Sequence, residues 1–117
     1  MKKIVLLFEY FCTPIWIYND SNNMSLSENV SVSSLPISKK LKNEITELDI
    51  IFQSTYNEDY PPEPKPISPN IELAFCKRIL ETSQNLKKEL LQKYKFEFND
   101  LIWQNRIKQL VSENPQI

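Results

Sequence analysis

The sequence contains neither glycine nor histidine among its 117 residues. At the usual glycine frequency of about 7%, roughly eight would be expected in a chain of this length. Without glycine there can be no P-loop, dinucleotide-binding fingerprint or nucleophile elbow, because each needs close backbone approach or positive φ. Without histidine there can be no catalytic triad that uses imidazole as its base. We therefore predict neither an enzymatic activity nor a cofactor.

Cysteine is also scarce, since Cys12 and Cys76 are the only two. Their separation favours free thiols in a reducing compartment, with a structural disulfide as the alternative. Two lone cysteines without histidine cannot complete a tetrahedral zinc site, so no metal is expected. No lysine or histidine lies near Cys12 in sequence to activate its thiol, which favours a small buried side chain over a reactive one.

Long apolar runs are absent as well. The run from Ile4 to Phe8 has five residues before Glu9 interrupts it, which is too short for the core of a signal peptide. No stretch approaches the roughly 20 apolar residues that cross a bilayer. With 41% apolar residues, the chain can bury one core. We expect a cytosolic protein whose residues 1–117 form a single domain.

Hydrophobic periodicity predicts two strands near the N-terminus. Residues 3–10 form a β-branched and aromatic run, and residues 15–18 form a second run after Pro14. The turn-forming residues 19–23 then close a hairpin. Residues 24–36 are rich in serine and asparagine and form either a loop or, around Val30 and Val32, a short edge strand.

Three amphipathic segments predict helices. Ser38 caps the first, which runs to about Tyr56, and Ser68 followed by Pro69 starts the second, which runs to about Lys93. Residues 94–98 alternate strictly between aromatic and charged side chains, as in a half-buried strand. The last helix begins at Asn99 or Asp100 and ends before Pro115; Trp103 on this helix, like Trp16 in the hairpin, is predicted to lie in the core.

These elements predict an α+β fold. A small antiparallel sheet, made by the N-terminal hairpin and the strand near residues 94–98, carries two long helices and a C-terminal helix packed on it.

The net charge of −1 hides a division along the chain. Residues 4–64 carry a net charge of −6, whereas residues 65–117 carry +3. Because neutralising phosphates requires a basic surface, the composition argues against direct binding of nucleic acid.

The acidic character is concentrated in the connection between the two long helices. Four prolines between residues 61 and 66 exclude helix and sheet and favour a stiff, extended path. A stiff loop with exposed phenols loses little entropy on binding, so we predict a partner-binding surface here; an ordinary solvated connection is the alternative. The predicted binding residues in this segment are Tyr56, Glu58, Asp59, Tyr60 and Glu63. Glu9, at the end of the first strand, and Asp20, in the turn after the second, complete the candidate set.

Two motifs resemble those of a family of small bacterial proteins. They are EYFCTPIW at residues 9–16 and STYNEDYPP at residues 54–62. In that family a Glu-Tyr-x-Cys-x-Pro-aliphatic-Trp hairpin precedes a helix and an acidic Asn-x-Asp-x-Pro loop. Some members resemble immunity proteins of polymorphic or contact-dependent growth inhibition toxins. The sequence departs from the pattern at Phe11, where glycine is common, and in the helix after Asp100, which is extra.

The resemblance implies a function that agrees with the charge distribution. An immunity protein blocks a cognate toxin, which is often a nuclease with a basic cleft, and an acidic surface steers onto such a cleft and covers it. Two alternatives stay open. One is an interaction adaptor that has no toxin partner and offers its proline-rich loop to a groove. The other is a small enzyme that uses converging carboxylates.

Overall fold

The computed structural model describes residues 1–19 and 27–117. Within these residues the fold is α+β, as predicted, with four strands and three α-helices. In chain order the elements are β1 (Lys2–Leu6), β2 (Ile15–Tyr18), β3 (Glu28–Asn29), a turn of 3-10 helix (Val32–Ser34), α1 (Lys39–Gln53), α2 (Pro69–Leu90), β4 (Tyr94–Glu97) and α3 (Asp100–Glu113).

The sheet is mixed, so the prediction of a wholly antiparallel sheet is wrong. The strand order is β3-β2-β1-β4, with β1 antiparallel to β2 and parallel to β4. Two long helices intervene between the hairpin and β4, and a crossover of this length can return the chain to the starting end of β1. Alternation along residues 94–98 fixes which side chains face the helices but not the direction of the strand.

β1 is shorter than predicted because its chain leaves the sheet after Leu6. The Leu7 amide still donates to the Pro14 carbonyl (N···O 2.9 Å), and the residues that follow form the loop to β2. Phe8 then packs on the ring of Phe52 from α1, with centroids 5.5 Å apart. The aromatic residues that extended the predicted strand therefore serve contacts between loop and helix.

The helices cover one face of the sheet. Ile4 and Ile15 lie in one buried cluster with Ile45 from α1 and Leu86 from α2. A second cluster joins α1 and α2 further along, and Trp103 packs against it as predicted. Trp16, by contrast, is half-buried outside both clusters and donates its indole N–H to the Leu7 carbonyl (3.0 Å), so its predicted place in the core is wrong.

Serine caps begin the two long helices, as predicted. The Ser38 hydroxyl accepts from the Leu41 amide (3.2 Å), and the Ser68 hydroxyl accepts from the Ile71 amide (3.4 Å). Both helices end about three residues earlier than predicted. At the end of α1 the Thr55 amide donates to the Phe52 carbonyl, a tighter turn that stops the helix.

α3 packs mainly along α2, not directly on the sheet as predicted. The rings of Trp103 and Phe75 meet edge to face with centroids 6.1 Å apart. The guanidinium of Arg106 binds both carboxylate oxygens of Glu72.

A short edge strand exists after the hairpin, at Glu28–Asn29, so it ends immediately before Val30 and does not include the predicted Val30 and Val32. It pairs with β2 at Trp16 and Ile17. The rest of the predicted loop includes residues 24–26, which lie outside the described residues, as does Asp20. No helix in the described part of the chain combines the length and apolarity that a membrane span requires.

Candidate protein-interaction site

The connection between α1 and α2 is a loop closed at its base. The Lys65 amide donates to the Thr55 carbonyl (2.8 Å), so the two ends of the loop are joined. Inside the loop, the Asn57 side-chain oxygen accepts from the amides of Asp59 (3.1 Å) and Tyr60 (3.2 Å). The segment that the sequence marks by its prolines is therefore ordered by its own hydrogen bonds as well as by proline.

The predicted binding residues of this loop are largely at the surface. Glu58, Asp59 and Glu63 are exposed, and Tyr60 is 58% exposed. Tyr56 differs, because its ring is half-buried. The structure thus places three carboxylates and one phenol where a partner can reach them.

The loop between β1 and β2 lies against the end of α1, next to this segment. Gln53 joins them with one side chain: its oxygen accepts from the Phe11 amide (3.1 Å), and its nitrogen donates to the Glu9 carbonyl (3.0 Å). The hydroxyls of Tyr10 and Thr55 are 2.7 Å apart. Glu9, whose side chain is exposed, is therefore brought next to the loop that follows α1.

Aromatic rings continue this contact outward from the core. Tyr10 stacks on Phe52 with centroids 4.7 Å apart, and Tyr56 meets Tyr10 edge to face at 5.1 Å. Phe11 then meets Tyr56 at 4.8 Å and is itself 80% exposed. The half-buried ring of Tyr56 thus lies between Tyr10 and Phe11, and the Phe11 ring is exposed to solvent.

Phe11 is a candidate that sequence reasoning missed. Its φ is 65°, and no other residue in the described ranges has positive φ. The left-handed region costs a residue with a side chain about 1–2 kcal/mol, whereas glycine enters it freely. The resemblance described above implies glycine at this position, which indicates the backbone conformation but not the role of the ring.

We call Glu9, Phe11, Tyr56, Glu58, Asp59, Tyr60 and Glu63 the aromatic-acidic surface. Within the described residues none of its four carboxylates belongs to an ion pair. Other acids do: Arg78 binds Glu44 and Glu47, and Arg106 binds Glu72. The negative charge of the aromatic-acidic surface is therefore left for solvent or a partner.

Shifted pKa values occur away from this surface. The carboxylates of Glu44 and Glu47 raise the pKa of Arg78, and Glu72 raises the pKa of Arg106 in the same way. Burial raises the pKa of the Cys76 thiol to about 11. Each shift follows from an ion pair or from burial between helices, and none indicates a catalytic acid or base.

An open cavity of about 800 Å³ lies where β1, β4 and the start of α3 meet. Its lining is mainly apolar, and its only acids are Glu97 and Asp100. Glu97 is engaged by the Tyr18 hydroxyl (2.6 Å) and by Lys3 (2.9 Å). No group of three potential metal ligands occurs in residues 1–19 and 27–117.

The aromatic-acidic surface lies within the part of the chain that matches a known family. A family model described as Serratia CdiI immunity protein-like matches residues 2–101. The matched span includes both loops of the surface and ends at the start of α3. No curated protein matches the chain.

Proposed function

Since this chain belongs to the Serratia CdiI immunity protein-like family, we propose that it binds and neutralises one cognate toxin domain, a nuclease, through the aromatic-acidic surface. Family membership supports the coarser statement, immunity against a toxin of contact-dependent growth inhibition. The proposal adds the nuclease, the surface and a mode of action in which the chain performs no catalysis. In this proposal the protein acts in the cytosol of the cell that makes it.

The observation that carries the proposal is the set of exposed carboxylates without ion-pair partners. A nuclease holds its substrate by basic groups that contact phosphates. Glu58, Asp59 and Glu63 offer negative charge to the same groups, and the closed loop holds them on a short stretch of chain. Charge complementarity of this kind raises the association rate by roughly 10- to 1000-fold.

The test replaces these three acids by lysine (Glu58→Lys, Asp59→Lys, Glu63→Lys) and measures binding to the toxin domain encoded by the neighbouring upstream gene. We expect the association rate to fall at least about 10-fold at low salt and to depend less steeply on ionic strength. Surface plasmon resonance over a salt series gives both quantities.

A matched control changes the net charge equally at exposed acids of β3, α2 and α3, outside the aromatic-acidic surface, through Glu28→Lys, Glu81→Lys and Glu113→Lys. The control should associate much faster than the loop variant. Equal association rates for the wild-type protein and the loop variant would remove the loop from the interface.

A further inference from the structure

Phe11 is the most exposed large apolar side chain in the described residues, at 80%. It belongs to the aromatic-acidic surface, where its ring contacts Tyr56, and it follows Tyr10 in the chain. Single exposed apolar side chains are common on protein surfaces, but Phe11 is not isolated, because its ring contacts Tyr56 and Tyr56 contacts Tyr10.

The backbone conformation at Phe11 is unfavourable for phenylalanine. A turn with φ of 65° is formed most easily by glycine, and asparagine tolerates it better than phenylalanine does. Phenylalanine therefore disfavours the very turn in which it stands. Departures of this kind, where a local preference is violated, concentrate at functional positions.

The surroundings hold this conformation in place. Besides the Phe11 amide and the Glu9 carbonyl, Gln53 also binds the Cys12 carbonyl (3.3 Å), so that one side chain fixes the whole turn. The ring itself rests on Tyr56. A ring fixed before binding loses little conformational entropy when a partner covers it.

We propose that Phe11 is the apolar anchor of the toxin interface and enters an apolar pocket with a basic rim on the toxin. The inference rests on the proposed function and adds the residue that supplies most of the affinity. Exposed carboxylates lie on both neighbouring loops, at Glu9 and at Glu58 and Asp59, which matches a basic rim. Aromatic anchors surrounded by polar contacts are the usual centres of binding energy at protein interfaces.

The test compares Phe11→Asn and Phe11→Gly with the wild-type protein in toxin binding and in thermal unfolding. Both variants remove the ring and suit the backbone, so the midpoint of unfolding should stay the same or rise. Affinity should nevertheless fall about 30-fold or more, mainly through faster dissociation, because truncation of a central anchor costs at least that much. Phe11→Tyr keeps an aromatic ring at this position and should retain most of the wild-type affinity.

Leu101→Asn is the matched control, since Leu101 is 62% exposed and lies on α3, which contributes no residue to the aromatic-acidic surface. It should bind like the wild-type protein. If Phe11→Asn and Phe11→Gly also bind within about twofold of the wild type, Phe11 is not the anchor, and toxin binding itself still stands. If the wild-type protein does not bind the toxin, both the proposed function and the anchor fall.

Discussion

Cys76 illustrates how one buried side chain links the packing of α2 to pH. The thiol is 1% exposed, and burial, with a smaller contribution from Glu72, raises its pKa from 9.0 to about 11. The folded protein therefore keeps this proton at pH values where the unfolded chain has released it. By linkage, the folded state loses stability as pH rises from the unfolded pKa towards the folded one.

We expect the free energy of unfolding to fall by about 2 kcal/mol between about pH 8 and about pH 10.5 through this thiol alone. Cys76→Ala removes the group, so its unfolding free energy should fall less over the same interval. Urea denaturation of both proteins at the two pH values measures the difference. Equal pH dependence in both proteins would show that the thiol titrates as it does in the unfolded chain.

Several single residues could be predicted from sequence because their role depends only on close neighbours. Both cysteines are free, and Ser38 and Ser68 cap their helices, as the sequence indicated. Phe11 could not be predicted in this way. Its φ is fixed by Gln53, 42 residues further along the chain, and nothing local in the sequence records that contact.

At the scale of elements, α3 is held to α2 by a bidentate ion pair. Both Nε and an Nη atom of Arg106 bind the carboxylate of Glu72, and Trp103 packs on Phe75 nearby. A flat guanidinium can make this paired contact, whereas an ammonium group cannot.

Arg106→Lys should therefore lower the free energy of unfolding by about 1 kcal/mol, the upper range for partly exposed pairs, although the charge is kept. Amide hydrogen exchange should speed up within α3 and much less within α1. Lys108→Arg, at an exposed position of the same helix, is the control and should change neither quantity. Unchanged exchange in Arg106→Lys would mean that apolar packing alone holds α3.

The types and order of the elements could be predicted because hydrophobic spacing reports on them directly. The direction of β4 and the element on which α3 packs could not be predicted, since both depend on contacts between elements that are far apart in sequence. Alternation in residues 94–98 is the same for a parallel and an antiparallel strand. The apolar stripe around Trp103 likewise indicates burial without naming the partner element, which is α2.

For the whole molecule, the acids in the first half of the chain fall into two groups, those in ion pairs and those without a partner. Some acids of the first half are paired, as Glu44 and Glu47 are with Arg78 across α1 and α2. Those of the aromatic-acidic surface have no ion-pair partner in the described residues. We propose that these unpaired carboxylates, in a chain whose net charge is only −1, steer a basic partner.

Our central proposal is that this protein inhibits its toxin by binding to it stoichiometrically and does not modify it chemically. The most direct measurement titrates the nuclease activity of the purified toxin domain with increasing amounts of this protein. We predict that activity falls linearly and disappears at about one molar equivalent, as expected for tight binding without turnover. Complete inactivation by far less than one equivalent, or full activity in the presence of excess protein, would contradict the account.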